Sequence, residues 1–237
     1  MEEKFSRTQL LLGEEAMNKL YKSKIAVFGI GGVGSYCLEA LARVGIGKFL
    51  LIDNDVVSVS NINRQLIANI NTIGLAKVEV AKERVLSINP NAEVETYQSF
   101  FLENNSKEID LTDCDYIIDA IDTVSAKIYL AEFSQEKGIP LISSMGTGNK
   151  LNPTMLEIDD IYNTSICPLA KVMRKELKKR GVKNLKVLYS KETPIKANAA
   201  LELEKNSSRR AIPGSVSFVP SAAGLIIASE VVKDLIK

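Results

Sequence analysis

Two groups of residues in the first third of the chain could act on phosphates. Gly29, Gly31 and Gly34 fit the pattern G-x-G-x-x-G, in which backbone amides can approach a phosphate at the start of a helix. Arg64 and Lys77 follow, and they offer a planar fork of donors and a mobile point charge. Fixed cations of this kind stabilise the charge that develops when a nucleoside triphosphate breaks between its α and β phosphates. Because hydride transfer needs neither cation, the pattern favours a nucleotide whose phosphates react.

Two aspartates are placed to complete such a site. Asp53 lies 19 residues after Gly34, at the end of a predicted strand, where a carboxylate can bind ribose hydroxyls. Asp122 follows the apolar run 116–118, at the edge where open parallel sheets bind ligands. Two alternatives stay open: Asp119 could cap a helix, and Lys77 could be an ordinary exposed lysine.

Alternating strands and helices are predicted to position these residues. The strands are expected at 24–29, 48–53, 93–97, 115–119 and 140–144, and the helices at 33–44, 75–88 and 124–137. This alternation predicts an α/β, Rossmann-like fold, with a mainly parallel sheet covered by helices on both faces. Short strands and two helices, at 168–180 and near 221–236, are expected to continue the fold toward the C-terminus.

Composition excludes several classes of function. The chain has 237 residues, 46% of them hydrophobic, a net charge of +1 and no histidine. A Ser-His-Asp or Cys-His mechanism and any histidine-bound metal are therefore excluded. The cysteines, Cys37, Cys114 and Cys167, form no C-x-x-C pair that could bind zinc. Without an N-terminal apolar run, and with prolines interrupting the uncharged stretch 211–229, we expect no signal peptide, no membrane span and a cytoplasmic location.

Several short motifs resemble one known superfamily. They are Gly29-Ile30-Gly31-Gly32-Val33-Gly34, Asp53-Asn54-Asp55, Ser60-Asn61-Ile62-Asn63-Arg64-Gln65, Gly74-Leu75-Ala76-Lys77 and Asp119-Ala120-Ile121-Asp122. Together they resemble the bacterial form of the ubiquitin-activating-enzyme superfamily, which includes the ThiF, MoeB and HesA proteins. Within it the chain is most similar to the tRNA threonylcarbamoyladenosine dehydratases, through Ile88-Asn89-Pro90, Pro168-Leu169-Ala170 and Tyr189-Ser190-Lys191-Glu192. This resemblance spans nearly the whole chain.

The resemblance implies that the nucleotide is ATP and assigns a role to each matched residue. The glycine turn would carry the nucleotide, Asp53 would hold its ribose, and Asp122 would hold Mg²⁺. The implied catalytic residues are Arg7, Arg64, Lys77 and Asp122. The implied nucleotide-binding residues are Gly29, Gly31, Gly32, Gly34, Asp53, Asp55, Asn61, Asn63, Arg64, Gln65 and Lys77.

Residues 1–22 are predicted to form a helical arm on a single nucleotide-binding domain whose Rossmann-like core is 24–145. The arm contains Phe5-Ser6-Arg7, which resembles a motif whose arginine, in related dimers, reaches the partner's nucleotide. We therefore expect a homodimer. The arm could instead simply cap the domain, and the sequence does not decide which subunit supplies Arg7.

The C-terminal part, 146–237, is expected to bind the substrate. Its helix at 168–180 carries five cations at helical spacing that predicts one shared face, a candidate tRNA surface: Lys171, Arg174, Lys175, Lys178 and Lys179. A solvated helix face is the alternative. The polar segment 191–213 is expected to form a long mobile loop.

The resulting hypothesis is an ATP-dependent enzyme that cyclises N6-threonylcarbamoyladenosine in tRNA through an acyl-adenylate. The hypothesis also allows for a monovalent cation and for a partner protein of a cysteine-desulfurase system. The main alternative is an adenylyltransferase that activates the C-terminus of a ubiquitin-like sulfur-carrier protein. A nicotinamide oxidoreductase is disfavoured by Arg64 and Lys77, and a non-catalytic partner subunit by the intact charged residues. Cys167, ahead of a predicted helix, is locally plausible as a thiolate, but we expect no covalent role for it.

Overall fold

The computed structural model describes residues 3–101, 109–196 and 213–237. Their strands form one seven-stranded sheet in the order β3-β2-β1-β4-β5-β7-β6. All neighbouring strands are parallel except β6 and β7, which pair antiparallel. The strands are β1 Lys24–Phe28, β2 Lys48–Ile52, β3 Glu93–Tyr97, β4 Tyr116–Asp119, β5 Leu141–Ser144, β6 Leu156–Asp160 and β7 Lys186–Ser190.

Seven α-helices accompany the sheet in the part of the chain just defined. They are α1 Ser6–Leu12, α2 Glu14–Lys22, α3 Gly34–Val44, α4 Lys77–Ile88, α5 Val124–Lys137, α6 Pro168–Lys179 and α7 Phe218–Ile236. The predicted fold class is confirmed, and the predicted element boundaries differ from these by at most three residues at any end. Periodicity succeeds here because the central strands are buried on both faces and read as continuous apolar runs.

Two hydrophobic clusters, one on each face, hold the helices to the sheet. The first includes Ile25 and Val27 of β1 and side chains of α2, α3, α4 and α7. The second includes Ala26 and Phe28 of β1 and side chains of α5 and α6. Alternate residues of one strand thus face opposite layers, as strand geometry requires. No helix in the described ranges combines the length and apolar character that crossing a membrane would need.

The N-terminal arm is helical, as predicted, but it is broken at Gly13. That glycine has a φ of 85° and separates α1 from α2. Helix α2 buries Met17 and Leu20 in the core, whereas α1 buries none of its residues. The arm therefore docks through α2 and leaves α1 at the surface.

Candidate active site

The candidate site is a cavity of about 740 Å³ at the carboxyl ends of β1, β2 and β4. Strand β1 lies between β2 and β4, so the chain order reverses at this position. Crevices at such reversals are where open α/β sheets bind ligands. Nine of the residues proposed for nucleotide binding line this cavity together with Asp122, namely Gly29, Gly31, Gly32, Asp53, Asp55, Asn61, Arg64, Gln65 and Lys77.

The glycine turn is required by the close approach of two strand ends. Gly29 has a φ of 86°, and a Cβ atom there would lie 2.7 Å from the carbonyl oxygen of Ala120. A Cβ on Gly34 would lie 1.8 Å from the carbonyl oxygen of Gly29. Gly34 therefore packs beneath the turn and does not line the cavity, whereas Gly31 and Gly32 do. Helix α3 begins at Gly34, which leaves the amides of the turn at a helix N-terminus.

Asp53 connects the end of β2 to this turn. Its Oδ2 accepts a hydrogen bond from the Ile30 amide at 2.6 Å, and its Oδ1 accepts one from the Asp55 amide at 2.9 Å. Burial raises the pKa of Asp53, and the neighbouring Lys77 and the two amides oppose that shift. The carboxylate predicted to hold ribose thus also fixes the backbone of the glycine turn.

Lys77 is buried, so its interpretation as an ordinary exposed lysine is wrong. Only 4% of the residue is exposed, and its Nζ donates to Asp55 Oδ2 at 2.7 Å. The same Nζ lies 3.9 Å from Asp53 Oδ1. Helix α4 begins at Lys77, directly after a loop that pairs Val56 with Ala76 across an antiparallel bridge. This pairing brings Lys77 next to the carboxylates of Asp53 and Asp55 at the end of β2.

The polar loop between β2 and α4 orients the remaining cation. The Arg64 Nη1 donates to the Ser60 carbonyl at 2.8 Å and to Asn63 Oδ1 at 2.9 Å. Asn63 in turn donates to the Ser215 carbonyl at 3.0 Å. Asn63 does not itself line the cavity, so its position is that of a support for Arg64 rather than of a nucleotide contact.

Two amide side chains of the same loop are buried beside the cavity. Asn61 accepts a hydrogen bond from the Ser58 amide at 3.0 Å, and this bond closes the loop. Gln65 is 6% exposed, and its buried Oε1 has no hydrogen-bond partner among the described residues. A buried acceptor without a partner lowers the stability of the fold. The Gln65 Oε1 could therefore accept a hydrogen bond from a donor on a ligand.

Asp122 lies just beyond β4, as predicted, and its carboxylate faces the cavity from an exposed position. Its nearest side-chain donor is Thr123 Oγ1, at 3.5 Å. No cluster of three or more potential metal-binding carboxylates or thiols occurs in the described ranges. The arrangement fits a Mg²⁺ ion bound by one carboxylate together with ATP phosphate oxygens. It does not fit a metal ion held by protein ligands alone.

Asp119 does not cap a helix, because Thr123 occupies the cap position of α5. Its carboxylate is instead fully buried and forms an ion pair with Lys127, with an Nζ–Oδ2 distance of 3.0 Å. Lys127 is not predicted as a functional residue from the sequence, where it resembles any other helix lysine, although it lies among the buried residues of α5.

Two other predicted groups lie outside this cavity. Arg7 is exposed on α1 and is absent from the described residues that line the cavity of its own chain.

The cations of α6 do not share one free face, because Arg174 turns inward and donates to the carbonyl and hydroxyl oxygens of Thr164. Lys179 pairs with Glu176, whereas Lys171, Lys175 and Lys178 are exposed. Most of the predicted 191–213 loop, residues 197–212, falls outside the described ranges.

None of the three cysteines is an accessible nucleophile. Cys37 is fully buried, and burial raises the pKa of its thiol well above the usual range. Burial likewise raises the pKa of Cys114 to about 12. Cys167 precedes α6, as predicted, but only 1% of it is exposed. All three are free thiols.

A second cavity of about 750 Å³ lies at the opposite, amino ends of β4, β5 and β7. Its lysine is already paired with carboxylates. Lys186 donates to Glu230 and Asp234, and the Tyr116 hydroxyl donates to Asp234 at 2.8 Å. The described lining of this second cavity contains neither a glycine turn nor a buried acceptor without a partner such as Gln65 Oε1. The first cavity is therefore the better candidate site.

Comparison with known proteins agrees with this geometry. A tRNA threonylcarbamoyladenosine dehydratase from Bacillus subtilis (strain 168) is 43% identical over 240 residues, which cover 98% of this chain and 94% of that protein. The E. coli tRNA N6-threonylcarbamoyladenosine dehydratase in complex with AMP superposes with a TM-score of 0.88 at 33% identity, over 98% of this chain and 93% of that one. The same E. coli enzyme in complex with ATP gives a TM-score of 0.85 with the same identity and coverage. The ThiF family profile matches residues 5–237, and the chain belongs to the ThiF family.

Proposed function

We propose that this protein catalyses the ATP-dependent cyclisation, by dehydration, of N6-threonylcarbamoyladenosine in tRNA. The observation that carries the substrate assignment is the 43% identity to a dehydratase of that name along 98% of the chain. The cavity supports the ATP step independently, because it joins a glycine turn, two cations and an exposed carboxylate. The E. coli relative has been solved in complex with ATP and with AMP, which supports nucleotide binding by this protein.

In the first step, the threonine carboxylate attacks the α-phosphorus of ATP and pyrophosphate leaves. The carboxylate needs no base, because it is already ionised at neutral pH, which suits a chain without histidine. Arg64 and Lys77 face the phosphate region and stabilise the negative charge that moves onto pyrophosphate. Mg²⁺, held by Asp122 when it arrives with ATP, would neutralise phosphate charge.

In the second step, the neighbouring carbamoyl group attacks the acyl-adenylate, closes a ring and expels AMP. The nucleophile is tethered to the same nucleoside, so proximity supplies much of the acceleration. The part of the chain at 146–237 would hold the tRNA, and 24–145 would hold ATP. A monovalent cation and a sulfur-transfer partner are not required by this sequence of steps.

The direct test combines cells and purified protein. Cells that lack the protein should lose the cyclic form of the modified nucleoside in digested tRNA. Purified protein with ATP, Mg²⁺ and modified tRNA should release AMP and pyrophosphate in equal amounts. Release of ADP would exclude this mechanism, and unchanged nucleosides in the deleted strain would exclude this substrate.

The alternative, activation of a ubiquitin-like sulfur carrier, predicts a thioester on a cysteine in enzymes that pass on the acyl group. We expect replacement of Cys37, Cys114 and Cys167 by alanine or serine to leave most tRNA turnover intact, because all three thiols are buried. Turnover per folded molecule is the measurement, with a search for a thiol-sensitive adduct on the parent. Complete loss of turnover together with such an adduct would favour the alternative.

The exposed cations of α6 are proposed to contact tRNA phosphates. Reversing Lys171, Lys175 and Lys178 to glutamate should weaken tRNA binding and flatten its salt dependence, by about 0.7–0.9 log units of slope per lost contact. Arg174→Glu is not a suitable member of the set, since this residue holds the Thr164 turn. Binding isotherms at several salt concentrations decide the point. An unchanged slope would make this helix an ordinary solvated surface.

The proposed homodimer gives Arg7 a role in the partner's site. Leu10 and Leu11 of α1 are 88% and 83% exposed, and such an apolar surface is suited to an interface. If Arg7 acts across that interface, Arg7→Ala and Asp122→Asn subunits, each inactive alone, should complement each other when mixed. Random exchange would restore about a quarter of the parental sites, since half of the dimers are mixed and each holds one intact site. No recovery, with mixed dimers verified by mass spectrometry, would place Arg7 in its own subunit's site or outside catalysis.

A further inference from the structure

We infer that the buried Lys127–Asp119 pair is a positioning device that sets two segments of the cavity wall against each other. Neither side chain of the pair can contact a ligand, because both are fully buried below the cavity. The inference rests on the proposed function only through the turnover assay described at the end.

Lys127 joins three parts of the fold through a single ammonium group. Its Nζ donates to both carboxylate oxygens of Asp119 at 3.1 and 3.0 Å, at the end of β4. It also lies 3.2 Å from the Ser143 hydroxyl and 2.7 Å from the Ser144 carbonyl oxygen, at the end of β5. The lysine itself belongs to the first turn of α5. All of its donors are thus used within the protein.

The carboxylate of Asp119 likewise has hydrogen-bond partners for both of its oxygens within the protein. It accepts a hydrogen bond from the Ser143 hydroxyl at 2.6 Å and one from the Ile121 amide at 3.1 Å. The Ile121 bond fixes the backbone that continues directly into Asp122. A network in which every polar group has a partner gives a buried site one well-defined arrangement.

The network supports the two segments that flank the phosphate region. Residues 120–123 and 144–148 all line the cavity. Ala120, next to Asp119, is the residue whose carbonyl lies against Gly29. Its amide also donates to the Phe28 carbonyl at 2.8 Å. A displacement of Asp119 would therefore reach the glycine turn, the proposed Mg²⁺ carboxylate and the β5 segment together.

A purely structural ion pair would behave differently from a positioning pair. Replacing a buried ion pair by neutral groups of similar shape often leaves stability unchanged. Positions in the cavity wall would still shift if the bond from Lys127 to the Ser144 carbonyl were lost. Small misplacements of reacting groups cost up to about 100-fold in rate. Stability and turnover are therefore expected to separate.

The test uses the neutral double variant Asp119→Asn/Lys127→Met, which leaves no unpaired charge but removes the bond to the Ser144 carbonyl. In the nucleotide-free protein, amide hydrogen exchange should accelerate in 120–123 and 144–148 and stay unchanged in α2 and β6. The kcat for AMP release should fall by about 10-fold or more at saturating ATP and tRNA. The melting temperature should stay within about 4 °C of the parent value.

Two further variants keep the result decisive. Asp119→Asn/Lys127→Gln restores a donor toward the Ser144 carbonyl and should recover slow exchange and most of the kcat. Lys186→Met, which removes a lysine from the distant pair with Glu230 and Asp234, is the matched control and should leave both cavity segments unchanged. Parental exchange in 120–123 and 144–148 of the Asn/Met variant would overturn the inference, as would equal acceleration throughout the chain.

If the Asn/Met variant does not fold, Asp119→Leu/Lys127→Met/Ser143→Ala replaces it, because it substitutes apolar side chains for all three polar side chains of the network and also removes the bond to the Ser144 carbonyl. Faster exchange confined to the two segments would support the inference, and unchanged exchange there would overturn it. The exchange measurement requires neither ATP nor tRNA. A failure of the proposed substrate would therefore leave this readout valid, and a failure of the positioning role would leave the nucleoside analysis unaffected.

Discussion

Asp122→Asn is expected to remove nearly all ATP-dependent turnover of modified tRNA while the protein remains folded. The carboxylate is exposed at the cavity wall, and its nearest side-chain donor is 3.5 Å away. Little of the fold depends on it. Its loss removes the only proposed protein contact to Mg²⁺, and the kcat should fall by about 10²–10³-fold, the scale for one preorganised electrostatic group.

The measurement is AMP and pyrophosphate release, accompanied by circular dichroism and the melting temperature. Asp110→Asn is the matched control, because Asp110 is also an exposed aspartate but does not line the cavity. The control should retain parental turnover. A fully active Asp122→Asn enzyme would remove Asp122 from the site and would leave the metal without its proposed carboxylate.

Lys77→Met should also inactivate the enzyme, but through a different set of contacts. Lys77 is 4% exposed and pairs with Asp55 at 2.7 Å. Its removal deprives the departing pyrophosphate of a fixed cation, so the kcat should fall by about 10²–10³-fold. The pKa of Asp53, which burial already raises and Lys77 opposes, should rise further.

Lys82→Met on the same helix is the control, since that side chain is only partly buried and lies outside the cavity. ATP binding measured by calorimetry separates the two consequences of losing Lys77. A loss of kcat with near-parental ATP affinity would indicate a cation that acts mainly in the transition state. Parental kcat in Lys77→Met would show that the Asp55–Lys77 pair serves the fold alone.

The position of Asp122 illustrates which predictions the sequence supports well. The glycine turn, Asp53 and Asp122 line one cavity because each follows a short buried strand. Strand ends in a parallel sheet meet at one edge, so the order of such motifs along the chain is enough to gather them. The same local logic predicted the strands and helices of the core, whose apolar runs and periodicity are strong.

The sequence did not determine the surroundings of each charge. Lys77 and Lys127 are ordinary helix lysines in sequence, and only the tertiary structure buries them beside Asp55 and Asp119. Arg174 has the spacing of a surface cation, yet packing aims it at Thr164. Burial and pairing depend on which elements pack over a residue, and that is a non-local property.

By itself, then, the sequence determined the fold class, the edge of the sheet at which the candidate site lies and most of the residues gathered there. The tertiary structure decided which of those residues face the cavity and which support others. Gly34 and Asn63 are supporting residues, because Gly34 packs beneath the glycine turn and Asn63 accepts a hydrogen bond from Arg64. The physical reason is that secondary structure follows from local periodicity, whereas a side chain's role in a site follows from desolvation and hydrogen bonding among segments distant in sequence.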